Sequence, residues 1–267
     1  MTKQHSSSEA SRARGVARAG VRAAKAGMGV ARVGTAIESF AAADVVAITY
    51  DDGPDAHATE SILQVLRDRA VKATFFVLMT RVYRYPEVLE AIRDEGHEIA
   101  FHGLDHTDLA TLRPVEVRRR LHDGIQSLED AAQVPVRWFR PPYVSLSLAG
   151  WARSRPLECE FVASASSFRD WNPISDAQRL QLFAAEVKAG DVVLAHDSWP
   201  TADDGAFDGP EPEIDRAALT AGALDVLEAA GMRQVTLSEA AAQGKARRPV
   251  RTSLRSARPG RHRGSAQ

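Results

Sequence analysis

Short apolar segments rich in β-branched and aromatic residues alternate along the chain with longer segments of helical periodicity. This alternation favours helices packed around a mainly parallel sheet. Seven such units are typical of the α/β class, and we predict a distorted (β/α)7 barrel that closes imperfectly. The predicted strands are residues 45–50, 73–78, 98–101, 136–139, 161–164, 192–195 and 234–237.

Helix start and stop residues mark three of the intervening segments. Pro86 and Gly96 bound one predicted helix, Pro114 opens a second, and Gly231 follows a third. Residues 201–214 contain several acids, glycine and two prolines, a composition that predicts an inserted loop.

Charge divides the chain into three parts. The 267 residues carry a formal net charge of −1, yet residues 1–37 hold seven Lys and Arg against the single acid Glu9, and residues 244–267 hold eight with no acid. The middle of the chain is therefore strongly acidic. We predict a basic N-terminal arm over residues 1–37, a single domain over residues 38–243, and a basic, disordered tail over residues 244–267.

The chain has neither the uninterrupted apolar run of a secretion signal nor the run of about 18 apolar residues that spans a membrane. Arg14, Arg18 and Arg22 interrupt the small apolar residues near the N-terminus. These features predict a cytoplasmic protein. Its basic arms could contact an anionic membrane surface peripherally, or extend as unattached solvated tails. No nucleic acid partner is expected.

Residues with reactive side chains follow the predicted strands directly. In a parallel barrel the carboxyl ends of the strands share one rim, where active sites are built. Taken separately, an Asp-Asp-Gly-Pro sequence is a common polar turn, and a His-x-x-x-His pair often lies on the surface. Their joint placement indicates a functional site. The residues concerned are Asp51, Asp52, His102, His106, Arg140, Asp170, Trp171 and His196.

Cys159 is the only cysteine in the chain. A single thiol excludes an intramolecular disulfide and a cysteine-based zinc cluster. Any metal would therefore be held by histidine and carboxylate side chains.

Five motifs, in chain order over roughly residues 44–242, resemble those of the polysaccharide deacetylases, the NodB-like domain of carbohydrate esterase family four. The match implies the barrel fold and hydrolysis of acetyl groups on carbohydrates. The family motifs Thr-Phe-Asp-Asp-Gly-Pro, His-Ser-x-x-His, Arg-x-Pro-Tyr, Asp-x-x-Asp-Trp and Leu-x-His correspond to Thr49-Tyr50-Asp51-Asp52-Gly53-Pro54, His102-Gly103-Leu104-Asp105-His106, Arg140-Pro141-Pro142-Tyr143, Ser167-Phe168-Arg169-Asp170-Trp171 and Leu194-Ala195-His196.

The resemblance implies one divalent metal ion held by Asp52, His102 and His106. Zinc suits this ligand set best, and cobalt, nickel and iron are compatible with it. Asp51 would be the base that takes a proton from water. Arg140 would orient the Asp51 carboxylate with a charge-assisted hydrogen bond, its alternative role being a structural salt bridge.

The resemblance also assigns the later steps of the reaction. The backbone N–H of Tyr143 would stabilise the oxyanion, and His196 would protonate the leaving amine or alcohol. Trp171, Leu194 and Asp170 would line the pocket for the acetyl group, although a plain core role fits Trp171 and Leu194 equally well.

Two positions depart from the family motifs. Ser167 stands where the family has an aspartate that partners the acid histidine, which predicts a lower pKa and a weaker acid at His196 unless Asp170 or another carboxylate substitutes. Gly103 replaces the serine that braces the metal-binding loop. Both changes concern supporting groups, so an active enzyme is favoured over an inactive one.

The combined prediction is a metal-dependent hydrolase that removes an N- or O-linked acetyl group from a carbohydrate or a sugar-containing intermediate. Two alternatives remain open, because one barrel hosts many functions. The first is a C–N hydrolase of a small cytosolic amide. The second is a catalytically silent glycan-binding protein.

Overall fold

Eight parallel strands build one curved sheet, and the helices pack around it. The computed structural model describes residues 34–206 and 208–250, with the side chain of Pro156 excepted. The strands in chain order, with two short terminal strands outside the parallel sheet, are β1 Ser39–Phe40, β2 Val45–Asp51, β3 Thr74–Leu78, β4 Glu98–Gly103, β5 Trp138–Phe139, β6 Glu160–Phe161, β7 Ser166–Ser167, β8 Val192–His196, β9 Arg233–Val235 and β10 Ala246–Arg247.

The order of strands across the sheet is β6-β5-β4-β3-β2-β8-β7, with β9 beside the first half of β2. Helices and 3-10 turns connect these strands, and the α/β barrel prediction is confirmed. The helices are α1 Ala58–Asp68, α2 Met79–Arg84, α3 Pro86–Asp94, α4 Pro114–Ala132, α5 Leu148–Ser154, α6 Asp176–Glu186, α7 Arg216–Ala229 and α8 Leu237–Gln243, and the 3-10 turns are Leu109–Thr111, Pro142–Val144, Arg155–Leu157 and Ala202–Asp204.

The central strand β2 is buried along all seven of its residues. Its β-branched residues suit a strand that is covered on both faces. Outward-facing Val46 and Ile48 pack with the helices in the large outer core. Inward-facing Val45 and Ala47 belong to a smaller core that fills the base of the barrel. Because side chains alternate along a strand, the same inner face continues upward to Asp51 and becomes polar at the rim.

Helix α4 lies directly on the ring of Phe101 in β4. A Cβ placed on Gly124 would lie 2.3 Å from Cζ of Phe101, so glycine permits this close approach. The residues of α4 that are buried recur at helical spacing and include Val117, Leu121, Ile125 and Leu128.

The two ends of the described chain pair with each other. β1 and β10 form an antiparallel pair, and a bridge joins Thr35 to Val250. The pairing thus crosses both predicted domain boundaries, at residues 37 and 244. Residues 1–33 and 251–267, which make up most of the predicted arms, lie outside the described residues.

Six predicted strands each correspond to one observed strand, but the prediction of a strand over residues 161–164 is wrong in detail. There the chain forms β6 and, separately, β7. The reason is that Ile37 takes the backbone hydrogen bonds at this point, since its N–H donates to Phe161 O at 2.9 Å and its carbonyl accepts from Ala163 N at 2.7 Å.

Within the part of the chain that the structure describes, every helix is too short or too polar to cross a bilayer.

Candidate active site

The rim of the inner face gathers the residues that follow the strands. In the parallel register, Asp51 at the end of β2 is the direct neighbour of His196 at the end of β8. His102 lies near the end of β4, and Arg140 directly follows β5. The residues predicted to share a rim therefore lie along one edge of the sheet. Asp51, Asp52, His102, His106, Arg140 and Asp170 are all buried there.

Asp52, His102 and His106 form a compact group of possible metal ligands. One ligand atom from each lies within 4.8 Å of the others. Asp52 Oδ1 is 3.1 Å from His102 Nε2 and 3.2 Å from His106 Nε2. Burial alone would raise the pKa of Asp52, but the two imidazoles lower it well below its ordinary value.

The donor set of this group fits a cation. Asp52 Oδ1 is buried and has no hydrogen-bond partner among the described residues. Buried polar atoms are normally paired, and an unpaired carboxylate oxygen facing two imidazole nitrogens matches the His and Asp ligands of a divalent ion such as zinc.

The backbone at Asp52 separates the two adjacent acids. Its φ of 81° lies in the left-handed region, which non-glycine residues rarely adopt. The turn directs Asp52 Oδ1 toward the two histidines, while Asp51 Oδ1 accepts a hydrogen bond from Arg140. Adjacent carboxylates can therefore take different roles.

The loop that carries His106 is braced without the serine of the family motif. A Cβ on Gly103 would lie only 2.5 Å from the backbone oxygen of Asp105, so this loop has no room for a serine side chain. Asp105 instead pairs with Arg120 and accepts a hydrogen bond from Thr107 N at 3.1 Å. These contacts hold the loop on the side chain of Asp105.

Arg140 holds Asp51 from inside the barrel. Its Nη1 donates to Asp51 Oδ1 at 2.6 Å and to Thr49 Oγ1 at 2.8 Å, and its Nη2 donates to Ala163 O at 3.0 Å. The guanidinium is fully buried and lies 4.2 Å from the centre of the Phe76 ring. Such enclosure fixes the orientation of Asp51 and leaves its Oδ2 toward His102, at 3.9 Å from Nδ1.

His196 is paired with Asp170. Its Nδ1 lies 2.8 Å from Asp170 Oδ1, and its backbone N–H donates to Asp170 Oδ2 at 2.7 Å. Burial opposes protonation of the ring, but the charges of Asp170, Asp52 and Asp51 outweigh it and raise the pKa of His196 to about 9. The exception foreseen for Ser167 is the one observed, because Asp170 supplies the carboxylate that partners His196.

Asp170, which was predicted to line the acetyl pocket, is buried and bonded to His196. Trp171 packs edge-on against the His196 ring, with ring centres 5.5 Å apart. Leu194, two residues before His196, faces the same side of β8. Both are half-buried, as a pocket wall would be.

Tyr143 follows Arg140 in a 3-10 turn, and its φ of 59° is left-handed. Its ring centre lies 4.4 Å from that of His106, and its hydroxyl donates to Asp208 Oδ2 at 2.8 Å. This position is close to the cation site, and the role of its backbone N–H stays a prediction.

Several residues of the site were missed because they come from the segment after β8. Arg216 Nη1 donates to His196 O at 3.2 Å and lies 3.5 Å from Asp170 Oδ2. The carbonyl of Asp204 accepts from His106 N. Asp197 is buried, which raises its pKa to about 7. Only the position of Asp197 beside His196 was visible in the sequence, and its partners were not.

A buried group that could hold a divalent ion, flanked by a carboxylate bonded to arginine and a histidine bonded to a carboxylate, is typical of a metal-dependent hydrolase. The family described as polysaccharide deacetylase matches residues 41–162. A chitooligosaccharide deacetylase from Bradyrhizobium sp. (strain ANU 289) is 33% identical over 156 residues, which cover 58% of this chain and 71% of that protein. The chain belongs to the polysaccharide deacetylase family.

Two solved structures are similar to most of this chain. The Bc1960 peptidoglycan N-acetylglucosamine deacetylase has 26% identity and a TM-score of 0.69, with 82% of this chain and 97% of that chain covered. A family 4 acetyl xylan esterase from Clostridium thermocellum, in complex with a cobalt ion, has 27% identity and a TM-score of 0.63, with 73% and 89% covered.

Proposed function

We propose that this protein removes the acetyl group from N-acetylglucosamine units of an oligosaccharide or polysaccharide. Similarity to a chitooligosaccharide deacetylase and to a peptidoglycan N-acetylglucosamine deacetylase supports this substrate class. Asp52, His102 and His106 would hold the divalent ion, and zinc is the first candidate for this ligand set. The membrane contact predicted for the arms is not needed for this activity.

One observation carries the proposal. The candidate cation ligands lie beside a candidate base and a candidate acid on a single rim. Asp51 Oδ2 lies 3.9 Å from His102 Nδ1, and His196 Nε2 lies 4.0 Å from Asp52 Oδ2. Acetyl hydrolysis needs one group to take a proton from water and another to give a proton to the leaving group. Asp51 and His196 are the candidates for these two groups, and each bonds to a charged partner.

When bound, the ion would polarise the acetyl carbonyl and make water more acidic. Asp51 would take the proton of the attacking water with Oδ2, because Arg140 holds Oδ1. His196 would give its Nε2 proton to the leaving amine, since Asp170 fixes Nδ1 and favours the protonated ring. The backbone N–H of Tyr143 would donate to the oxyanion, and Trp171 would contact the acetyl methyl group.

The alternative of a silent glycan-binding protein rests on Ser167 and on the long basic tails. Asp170 is the carboxylate partner of His196, which removes the argument from Ser167. Most of the tails lie outside the described residues. The small-amide alternative has no observation of its own in its favour.

The test is acetate release by metal-stripped protein reconstituted with zinc. Substrates are N-acetyl chitooligosaccharides, peptidoglycan fragments and acetylated xylan, with a small cyclic amide assayed for ring opening. The proposal expects zinc-dependent release from the N-acetylated glycans, abolished by Asp51→Asn. Release from xylan alone would move the activity to esters, and turnover of the small amide alone would support the other hydrolase.

A further inference from the structure

The carboxylate of Asp197 is buried behind the turn that carries Asp52, and no step of the proposed reaction uses it. Asp197 directly follows His196 and has no exposed surface. Its Oδ1 accepts from Gly53 N at 3.0 Å, and its Oδ2 accepts from Thr59 Oγ1 at 2.7 Å. Its own backbone N–H donates to Asp51 O at 3.1 Å. Asp197 thus forms hydrogen bonds to the backbone of the residues on both sides of Asp52.

The turn needs such support. The φ of 81° at Asp52 is strained for a residue with a side chain and persists only where the surroundings enforce it. The Asp197 carboxylate bonds to the very next backbone N–H. A Cβ on Gly53 would lie 2.0 Å from Asp197 Oδ2, so the close approach depends on glycine at this position.

The same carboxylate reaches the far side of the turn. Thr59 Oγ1, which donates to Asp197, also accepts from the backbone N–H of Asp55 at 2.8 Å. Asp197 therefore connects the end of β8 to residues 51, 53 and 55, the whole stretch that presents Asp52 to the histidines.

We propose that Asp197 is a positioning residue for the cation site, which fixes the backbone of the Asp52 turn so that Asp52 Oδ1 faces His102 and His106. This inference rests on the proposed function insofar as the group binds a divalent ion. The Asp197 carboxylate bonds to Gly53 N and Thr59 Oγ1, not to the candidate ligand atoms. Residues that orient metal ligands in this way typically contribute about 10- to 100-fold to metal affinity.

The rival explanation is that Asp197 only stabilises the fold, and the same strand offers a matched control. Asp191 directly precedes β8, at the end away from the rim, and is also a buried carboxylate. Its Oδ2 accepts from Lys188 N at 3.0 Å. Removing either carboxylate deletes buried hydrogen bonds, but only Asp197 contacts the Asp52 turn.

The experiment measures zinc dissociation constants by chelator competition, without sugar, for metal-stripped wild type, Asp197→Ala, Asp197→Asn and Asp191→Ala. Thermal unfolding of each metal-free protein is recorded in parallel. We expect Asp197→Ala to weaken zinc binding about 10- to 100-fold, and Asp191→Ala to change it less than about twofold while also lowering Tm. The zinc affinity of Asp197→Asn should lie between those of wild type and Asp197→Ala, because the asparagine keeps an acceptor for Gly53 N–H and loses the acceptor for Thr59.

Unchanged zinc affinity in folded Asp197→Ala, or an equal loss in Asp191→Ala, would overturn the inference. If Asp197→Ala does not fold, unchanged zinc affinity in folded Asp197→Asn would overturn the inference instead. A wild type that binds zinc tightly but releases no acetate refutes the proposed function and leaves the Asp197 comparison valid. A wild type that binds no divalent ion overturns both.

Discussion

Replacing Asp170 with asparagine tests whether His196 acts as the acid. Asp170→Asn keeps the size of the side chain and an oxygen acceptor, but it removes the negative charge 2.8 Å from His196 Nδ1. Burial opposes protonation of His196, and the nearby carboxylates, Asp170 foremost, overcome it. Without that charge the pKa of His196 should fall, and the ring should lose its proton at lower pH.

The size of the effect follows from the raised pKa. A rise from 6.5 to about 9 corresponds to roughly 3 kcal/mol in favour of the protonated ring. A cation bound to Asp52 would cancel the part of the rise in the pKa of His196 that comes from Asp52. The part that comes from Asp170 would remain. An acid is competent only below its pKa, so its contribution is lost as the pH rises through that value. We expect Asp170→Asn to lower the alkaline limit of kcat/KM by at least about 1 pH unit, which is about tenfold in protonated fraction.

The assay is acetate release from an N-acetyl chitooligosaccharide at saturating zinc, measured across pH for wild type and Asp170→Asn. The loss should be large on the alkaline side and small near pH 6, about the ordinary pKa of histidine. Asp176→Asn is the control, because Asp176 is an exposed carboxylate paired with Arg179 outside the site. An unmoved alkaline limit, or an equal loss at every pH, would refute the role of His196.

Three further predictions concern the cation site and its support. Asp52→Ala should weaken zinc binding, measured by chelator competition, by more than the roughly 100-fold that is lost when a residue around the metal ligands is changed. Tight binding of one zinc ion per chain in this variant would contradict the assignment of Asp52 as a ligand. Arg140→Met leaves Asp51 buried without its partner and should cost about 3–5 kcal/mol in urea unfolding. Adding Asp51→Asn should recover part of that loss, and a cost below about 1 kcal/mol would refute the pairing. Gly103→Ser restores the family motif, yet it should reduce Tm and zinc affinity, because its Cβ would meet Asp105 O at 2.5 Å; a gain in either would show that the loop yields.

The central strands and most of the rim were predictable because the motifs at Asp51, His102 and His196 lie at the ends of strands of strong β propensity. β2 shows why, since its seven buried residues end at Asp51 and parallel register then brings that residue to His196. Because side chains alternate along a strand, the sequence also indicates which residues face inward, and in β2 the inner face changes from apolar Ala47 to Asp51 within four residues. The motif that begins at Ser167 starts in β7, whose two serines carry no such signal of β propensity.

The partners of these residues were less predictable, because they depend on contacts between distant segments. Ser167 and Asp170 are three residues apart, and local sequence does not say which of them turns toward His196. The backbone at Arg169, with a φ of 56°, bends the chain between them. Asp204 belongs to a segment whose composition indicated only an inserted loop, yet its carbonyl supports His106 across 98 residues of chain.

The paired strands β1 and β10 determine where the outer segments of the chain join the barrel. Phe40 N donates to Gly190 O, and Ser39 bridges Asp191, both at the start of β8, about 16 Å from His196 at roughly 3.3 Å per residue. The pairing of the two described chain ends and the candidate active site therefore lie at opposite ends of the same strand, β8.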